Sequence, residues 1–241
     1  MTDDSRHDPG QAAASGPDLP DLRDLPPTFA ATRASLHLVA ARILGAARFA
    51  AVGRLGLVVV PGGFGTPEFD GRRLLVVDGQ LSDGSRRQPI TTLLDAGAFA
   101  GVDPTVSPHP VLDLPGDPTA PLPVDPAAAA ALATWLETSQ TLLTALTDAG
   151  AGADDPSSLQ LWPEHFDLAL ESGPEGSRAN YGASPGDETI DQPYLYVGPH
   201  EKRHGSFWNA PFGAALPYSA IRAGEDPEAF LRSGREHLRH L

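Results

Sequence analysis

The second half of this chain loosely repeats the first, which suggests a fold whose halves are related by an approximate twofold. In the first half the run 54–60 precedes Phe64-Gly65-Thr66-Pro67 and then residues 74–79. In the second, residues 165–170 precede Tyr181-Gly182-Ala183-Ser184-Pro185 and then residues 194–199. Each half reads as an apolar strand, an aromatic–glycine turn closing on proline, and a second apolar strand. A helical segment stands before each. Such an architecture commonly leaves a cleft between its halves.

Residues 1–27 carry six Asp against two Arg, net −4, with few side chains able to pack, and read as a disordered acidic leader. In residues 29–51 Leu36, Val39, Ile43, Leu44 and Ala47 recur at helical spacing. Thr28 or Thr32 offers an N-cap and Gly53 a stop. The β-branched runs 55–60 and 74–77 form a strand pair, and a strand near Gln88 and a short helix over 91–99 follow. Eight prolines between 102 and 126 forbid a helix there and mark a connector. Asp125-Pro126 then starts a second long helix, with Leu132, Trp135, Leu136, Leu142, Leu143 and Leu146 as its apolar stripe. Strands at 159–170 and 194–197, an aromatic loop over 200–221 and a helix started by Asp226-Pro227 complete the chain. The expectation is a single α+β domain over 28–241. Its two related helix–hairpin halves, 28–101 and 126–221, are joined by the connector 102–126. They form a mostly antiparallel sheet or partly open barrel with helices packed on one face.

Charge narrows the partners. Residues 28–101 are net +3, with eight Arg against five acids, whereas residues 102–241 are net −13, with twenty acids against seven bases. No Lys or Arg occurs between Arg87 and Arg178, so the chain is poorly built to displace counterions from nucleic acid. The absence of cysteine excludes disulfides and thiolate chemistry. No secretory start and no uninterrupted apolar run of membrane-spanning length is visible, so a cytoplasmic protein without a membrane partner is expected.

The strongest chemical candidate lies in Trp162-Pro163-Glu164-His165-Phe166-Asp167-Leu168. Strand alternation would turn His165 and Asp167 to one face and Phe166, Leu168 and Leu170 to the other. Such a pair can bind a metal, or act as an acid–base couple whose carboxylate orients the imidazole, and it equally describes an edge strand showing water its polar face. The loop 180–188, with Asp187 and Glu188 after a Gly/Ser-rich turn, offers further acids but matches neither a phosphate loop nor a calcium loop. Gly62-Gly63-Phe64-Gly65 is no dinucleotide fingerprint, and no cofactor is assigned. Tyr181, Tyr194, Tyr196, Trp208 and Asn209 offer aromatic walls and an amide for a small-molecule pocket, or simply seal the core. His37, in the first helix, reads as a core or boundary histidine.

Across residues 161–170, 180–188 and 193–199 the chain resembles a family of uncharacterised proteins from high-GC bacteria. More distantly, its layout is similar to another bacterial domain family of unknown function. The resemblance implies one integrated domain and carries no activity. Two functional readings follow from the residues. The first is a cytosolic small-molecule-binding or accessory protein using the aromatic pocket. The second is a hydrolytic or isomerising enzyme with His165 as base or metal ligand, Asp167 as its orienter and Asp187 or Glu188 as a further acid. Homodimerisation through an exposed sheet edge is a third.

Overall fold

A computed structural model describes residues 22–149 and 154–239. Most of the expected leader lies outside these residues. Its last part, 22–27, is held against the C-terminal region: the Tyr218 hydroxyl donates to the Arg23 carbonyl at 2.8 Å, and Arg222 pairs with Asp24.

Helix α1 (Phe29–Val52) contains a wider π-helical turn at Ala40–Gly45 and stops where Gly53 enters the left-handed region at φ 68°. Thr28 makes no side-chain cap; Thr32 accepts instead from the amide of Asp125 at 3.0 Å. Although Arg33, Arg42 and Arg48 interrupt it, α1 is long and apolar enough to cross a membrane, with mean hydropathy 1.4. The run is not uninterrupted, as expected from the sequence, but its alanines and leucines keep the average high. Within the fold 67 % of the apolar window is buried, as for a core helix.

The first half continues as an antiparallel meander of β1 (Val58–Val60), β2 (Gly63–Gly65), β3 (Leu75–Val77), β4 (Gln80–Ser82) and β5 (Arg87–Pro89), then α2 (Leu93–Ala100). The second half runs α3 (Pro126–Ala149), then β6 (Gln160–Trp162), β7 (Asp167–Ser172), β8 (Ala179–Ser184), β9 (Tyr194–Pro199) and β10 (Ala214–Pro217), then α4 (Tyr218–Arg222) and α5 (Pro227–Arg239). Both meanders have five strands paired in chain order, so the fold is α+β with two antiparallel sheets. The sheets do not close into a barrel. They meet edge to edge, where Leu57 and Leu161 exchange both backbone hydrogen bonds at 2.7 and 3.0 Å.

Each half is therefore a helix and a five-strand meander, followed by one helix in the first half and two in the second, but the correspondence differs by one strand from the sequence repeat. By order β1 matches β6, whereas the repeat aligned the first strand with residues that lie in β7. The aromatic–glycine segments are strands rather than turns. A Cβ on Gly63 would sit 1.9 Å from the Val76 carbonyl oxygen, and one on Gly182 would sit 2.4 Å from the Tyr196 ring. These glycines permit close approach inside a sheet, a use that sequence alone confuses with turn-making.

Helix α3 lies across both sheets, touching β1 and β2 of the first and β7 and β8 of the second. Beneath α3, and beneath α5 where it covers β9, Leu168, Leu170, Tyr181, Ala183, Leu195 and Val197 are all at most 2 % exposed, and each such aliphatic side chain contributes about 1.5–3 kcal/mol by burial. Trp135 is buried there too and donates Nε1–H to the Ser184 carbonyl at 2.9 Å. The proline-rich connector is fastened rather than loose. From the π-turn of α1, the buried Arg42 donates to the carbonyls of Pro104, Leu114 and Gly116, and Leu112 is fully buried against Ala41 and Ala46.

Candidate functional site

The second sheet has one face turned to the helices and another that carries the candidate chemistry. Ala169, Gly182 and Tyr196 are direct cross-strand partners on that outer face. Because Gly182 has no side chain, the Tyr196 ring lies flat across it and its hydroxyl reaches Asp167 Oδ2 at the start of β7. Tyr194, two residues earlier on the same face, donates its hydroxyl to Asp187 Oδ2. With Phe212 the two tyrosines form an aromatic wall, the three ring centroids lying 5.8–6.2 Å apart. These groups line a cavity of about 490 Å³, together with Glu164, His165, Asn180 and Ser184.

The first half also enters. His37 of α1 lines the cavity, stacks on Phe166 at 5.3 Å with its ring 6° from parallel, and donates Nε2–H to the Glu164 carbonyl at 3.2 Å. Burial lowers its pKa, which favours the neutral imidazole. Arg33, one turn earlier, pairs with Asp191 at 3.3 Å. The site thus stands where the two halves meet.

His165 is not on a strand. Residues 163–166 form the turn between β6 and β7, closed by the Phe166 amide donating to the Trp162 carbonyl at 2.7 Å. Phe166 adopts φ 57°, unusual for an aromatic residue, and is held there by burial against His37 and Phe64. Strand alternation therefore does not apply at 165–167. His165 and Asp167 nevertheless line the same cavity, His165 exposed and Asp167 half-buried.

Two of the cavity's three carboxylates, Asp167 and Asp187, are driven apart. Burial raises the pKa of Asp167, against the opposing effects of the Tyr196 hydrogen bond and the field of His165. Its Oδ1 is buried and has no hydrogen-bond partner among the described residues; the same holds for Glu164 Oε2. Burial also acts to raise Asp187, but the Tyr194 hydroxyl, the Ile190 and Thr189 amides and nearby Arg33 outweigh it and hold that carboxyl below its usual range. Tyr196 and Tyr194 are pushed upward by burial and by their acidic partners, so both remain hydroxyl donors.

The other expected site residues lie elsewhere. Tyr181 is 1 % exposed on the helix-facing side, near Arg235 and Asp154, because it alternates with Gly182. Glu188 is exposed and does not line the cavity. Trp208 packs on Phe207 and His237 and lines a neighbouring cavity. Asn209 uses both ends of its amide on Ala215, mimicking a further strand at the edge of β10. The contributions of Glu164, His37, Asn180 and Ser184 were not read from the sequence. The alternation Asn180–Gly182–Ser184 opposite Tyr194–Tyr196–Gly198 was the available signal for the last two. Among the described residues no group of three or more His, Asp or Glu is placed to hold a metal ion, so His165 and Asp167 lack a third ligand of that kind.

Comparison with known proteins finds no matching family model, no matching curated protein and no matching solved structure.

Proposed function

We propose that this protein binds a small organic cation, an ammonium or guanidinium group on a compact molecule, on the outer face of its second sheet. The observation that carries the reading is Asp167. One oxygen is capped by Tyr196, the other is buried without a partner among the described residues, and the residue lines a cavity whose wall is three aromatic rings. A bound N–H donor would satisfy the carboxylate, and the ring faces favour the same positive charge. Glu164 and Asp187 add to the negative field.

The test is isothermal titration with a series of alkylamines. Binding is expected in the native chain and a loss of about tenfold or more in Asp167→Asn, since a charge-assisted hydrogen bond is worth about 1.5–3 kcal/mol. Equal affinity in both proteins would refute the assignment.

A second reading, acid–base catalysis, is favoured by one observation: two carboxylates in one cavity have pKa values displaced in opposite directions. That separation suits an acid and a base acting on one substrate, with Asp167 as proton donor and Asp187 ionised. Under it, Asp167→Asn removes turnover of a substrate while leaving substrate binding in place, which distinguishes the two readings.

A further inference from the structure

We infer that the cavity beside Phe212 is a carboxylate subsite, so that the ligand is a zwitterion spanning two adjoining cavities, its ammonium at Asp167 and its carboxylate at Lys202 and Arg203. The inference rests on the cation reading above and extends it to the other end of the ligand.

The second cavity, of about 400 Å³, is formed by the loop after β9 and shares Pro199 and Phe212 with the first. Its polar lining is basic: His200, Lys202, Arg203 and His204. In a chain of net charge −14 this is a local reversal, and it contains the sole lysine. Only seven Lys or Arg residues follow position 101; Lys202, Arg203 and Arg178 gather at this end of the sheet.

The donors are incompletely used. Lys202 is exposed and has no hydrogen bond or ion pair among the described residues. Arg203 is mostly buried, its side chain 17 % exposed, yet its Nε is buried and unpartnered. Among the described residues it makes only a long ion pair to Glu201 at 3.7 Å and a long hydrogen bond from Nη2 to the Gly176 carbonyl at 3.4 Å. Glu171 faces the same end but is already engaged by His200 at 2.8 Å and Arg178 at 3.2 Å. A guanidinium with a spare donor and an ammonium lining the same cavity match a carboxylate. Glu201 offsets part of the loop's charge, which suits a singly charged anion better than a doubly charged phosphate.

Negative groups thus stand on one side of Phe212 and positive groups on the other. A molecule laid along that ring would place an amine and a carboxylate where each meets its opposite.

The experiment compares ω-amino carboxylates, from 4-aminobutyrate to 8-aminooctanoate, with alkylamines of the same chain length, by calorimetry on the full chain. At the length that fits, the amino carboxylate is expected to bind about tenfold tighter than its amine, the worth of one charge-assisted contact. Lys202→Ala, at an exposed position, should remove most of that advantage and leave the amine's affinity unchanged. Arg203→Lys, which keeps the charge and loses the fork, should weaken the amino carboxylate alone. If amines bind and amino carboxylates bind no tighter at any length, the carboxylate subsite is overturned while the cation site stands. If neither series binds, both are overturned.

Discussion

Replacing Tyr196 with phenylalanine isolates the bond on which the site is built. The ring keeps its bed over Gly182, so packing is retained, while Asp167 loses the side chain that donates to it. A hydrogen bond to a charged group is worth about 1.5–3 kcal/mol, and the buried carboxylate is then left without that donor. For a domain of this size about 2–4 °C of melting temperature corresponds to each kcal/mol, so Tyr196→Phe should melt about 3–12 °C lower near neutral pH. In an Asp167→Asn background the hydroxyl meets a neutral amide, a contact worth about 1 kcal/mol, and the loss should be roughly half as large. The pH dependence has a definite sign. Burial raises Asp167 in the folded state, so the protonated acid is the form the fold favours. That favourable contribution is complete below the unfolded carboxyl pKa of about 4 and is lost as pH rises through the folded value. Asp167→Asn alone should therefore stabilise the protein at neutral pH and cease to do so in acid, and the cost of Tyr196→Phe should shrink over the same range. Thermal melts of the four proteins across a pH series read all of this. A cost for Tyr196→Phe that is the same in both backgrounds, or the same at every pH, would refute the account.

Three further outcomes follow from other parts of the molecule. Gly182→Ala places a Cβ against the Tyr196 ring and should release the Tyr196–Asp167 bond, weakening alkylamine binding although no residue that lines the cavity is itself substituted; unchanged titrations would contradict it. Arg42→Met keeps an aliphatic stem but strands three carbonyls of the connector, which should cost about 2–4 kcal/mol and open residues 102–125 to limited proteolysis. Asp154 is 1 % exposed and pairs with Arg235 and Arg239, so Asp154→Ala leaves the buried Arg235 without that partner. Denaturant unfolding should show a loss of about 3–5 kcal/mol.

Element types were legible along much of the chain, because they follow from a residue's immediate neighbours. Helical spacing in α1 and α3, the Asp125-Pro126 start and the β-branched runs are local signals, and Asp125 indeed accepts from the Ala128 amide at 2.9 Å. The aromatic pair Tyr194 and Tyr196 was also readable, since both lie two apart on an unbroken strand. His165 and Asp167 reached one cavity by a different route from the one the alternation suggested. A four-residue turn with Phe166 in the left-handed region stands between them, and backbone of that kind carries no period.

What the sequence by itself determined, then, is a two-part α+β chain with acidic and aromatic residues concentrated in the second part. Tertiary structure alone decided which of those residues share a cavity. Tyr181 and Gly182 are neighbours in the chain and face opposite sides of the sheet, so strand register sent one to the core and gave the other to Tyr196. His37 comes to Glu164 across 127 residues, through the packing of α1 on the second half. Side-chain periodicity is a property of a few consecutive bonds, whereas the choice of face and the meeting of distant elements depend on how whole layers bury their apolar sides.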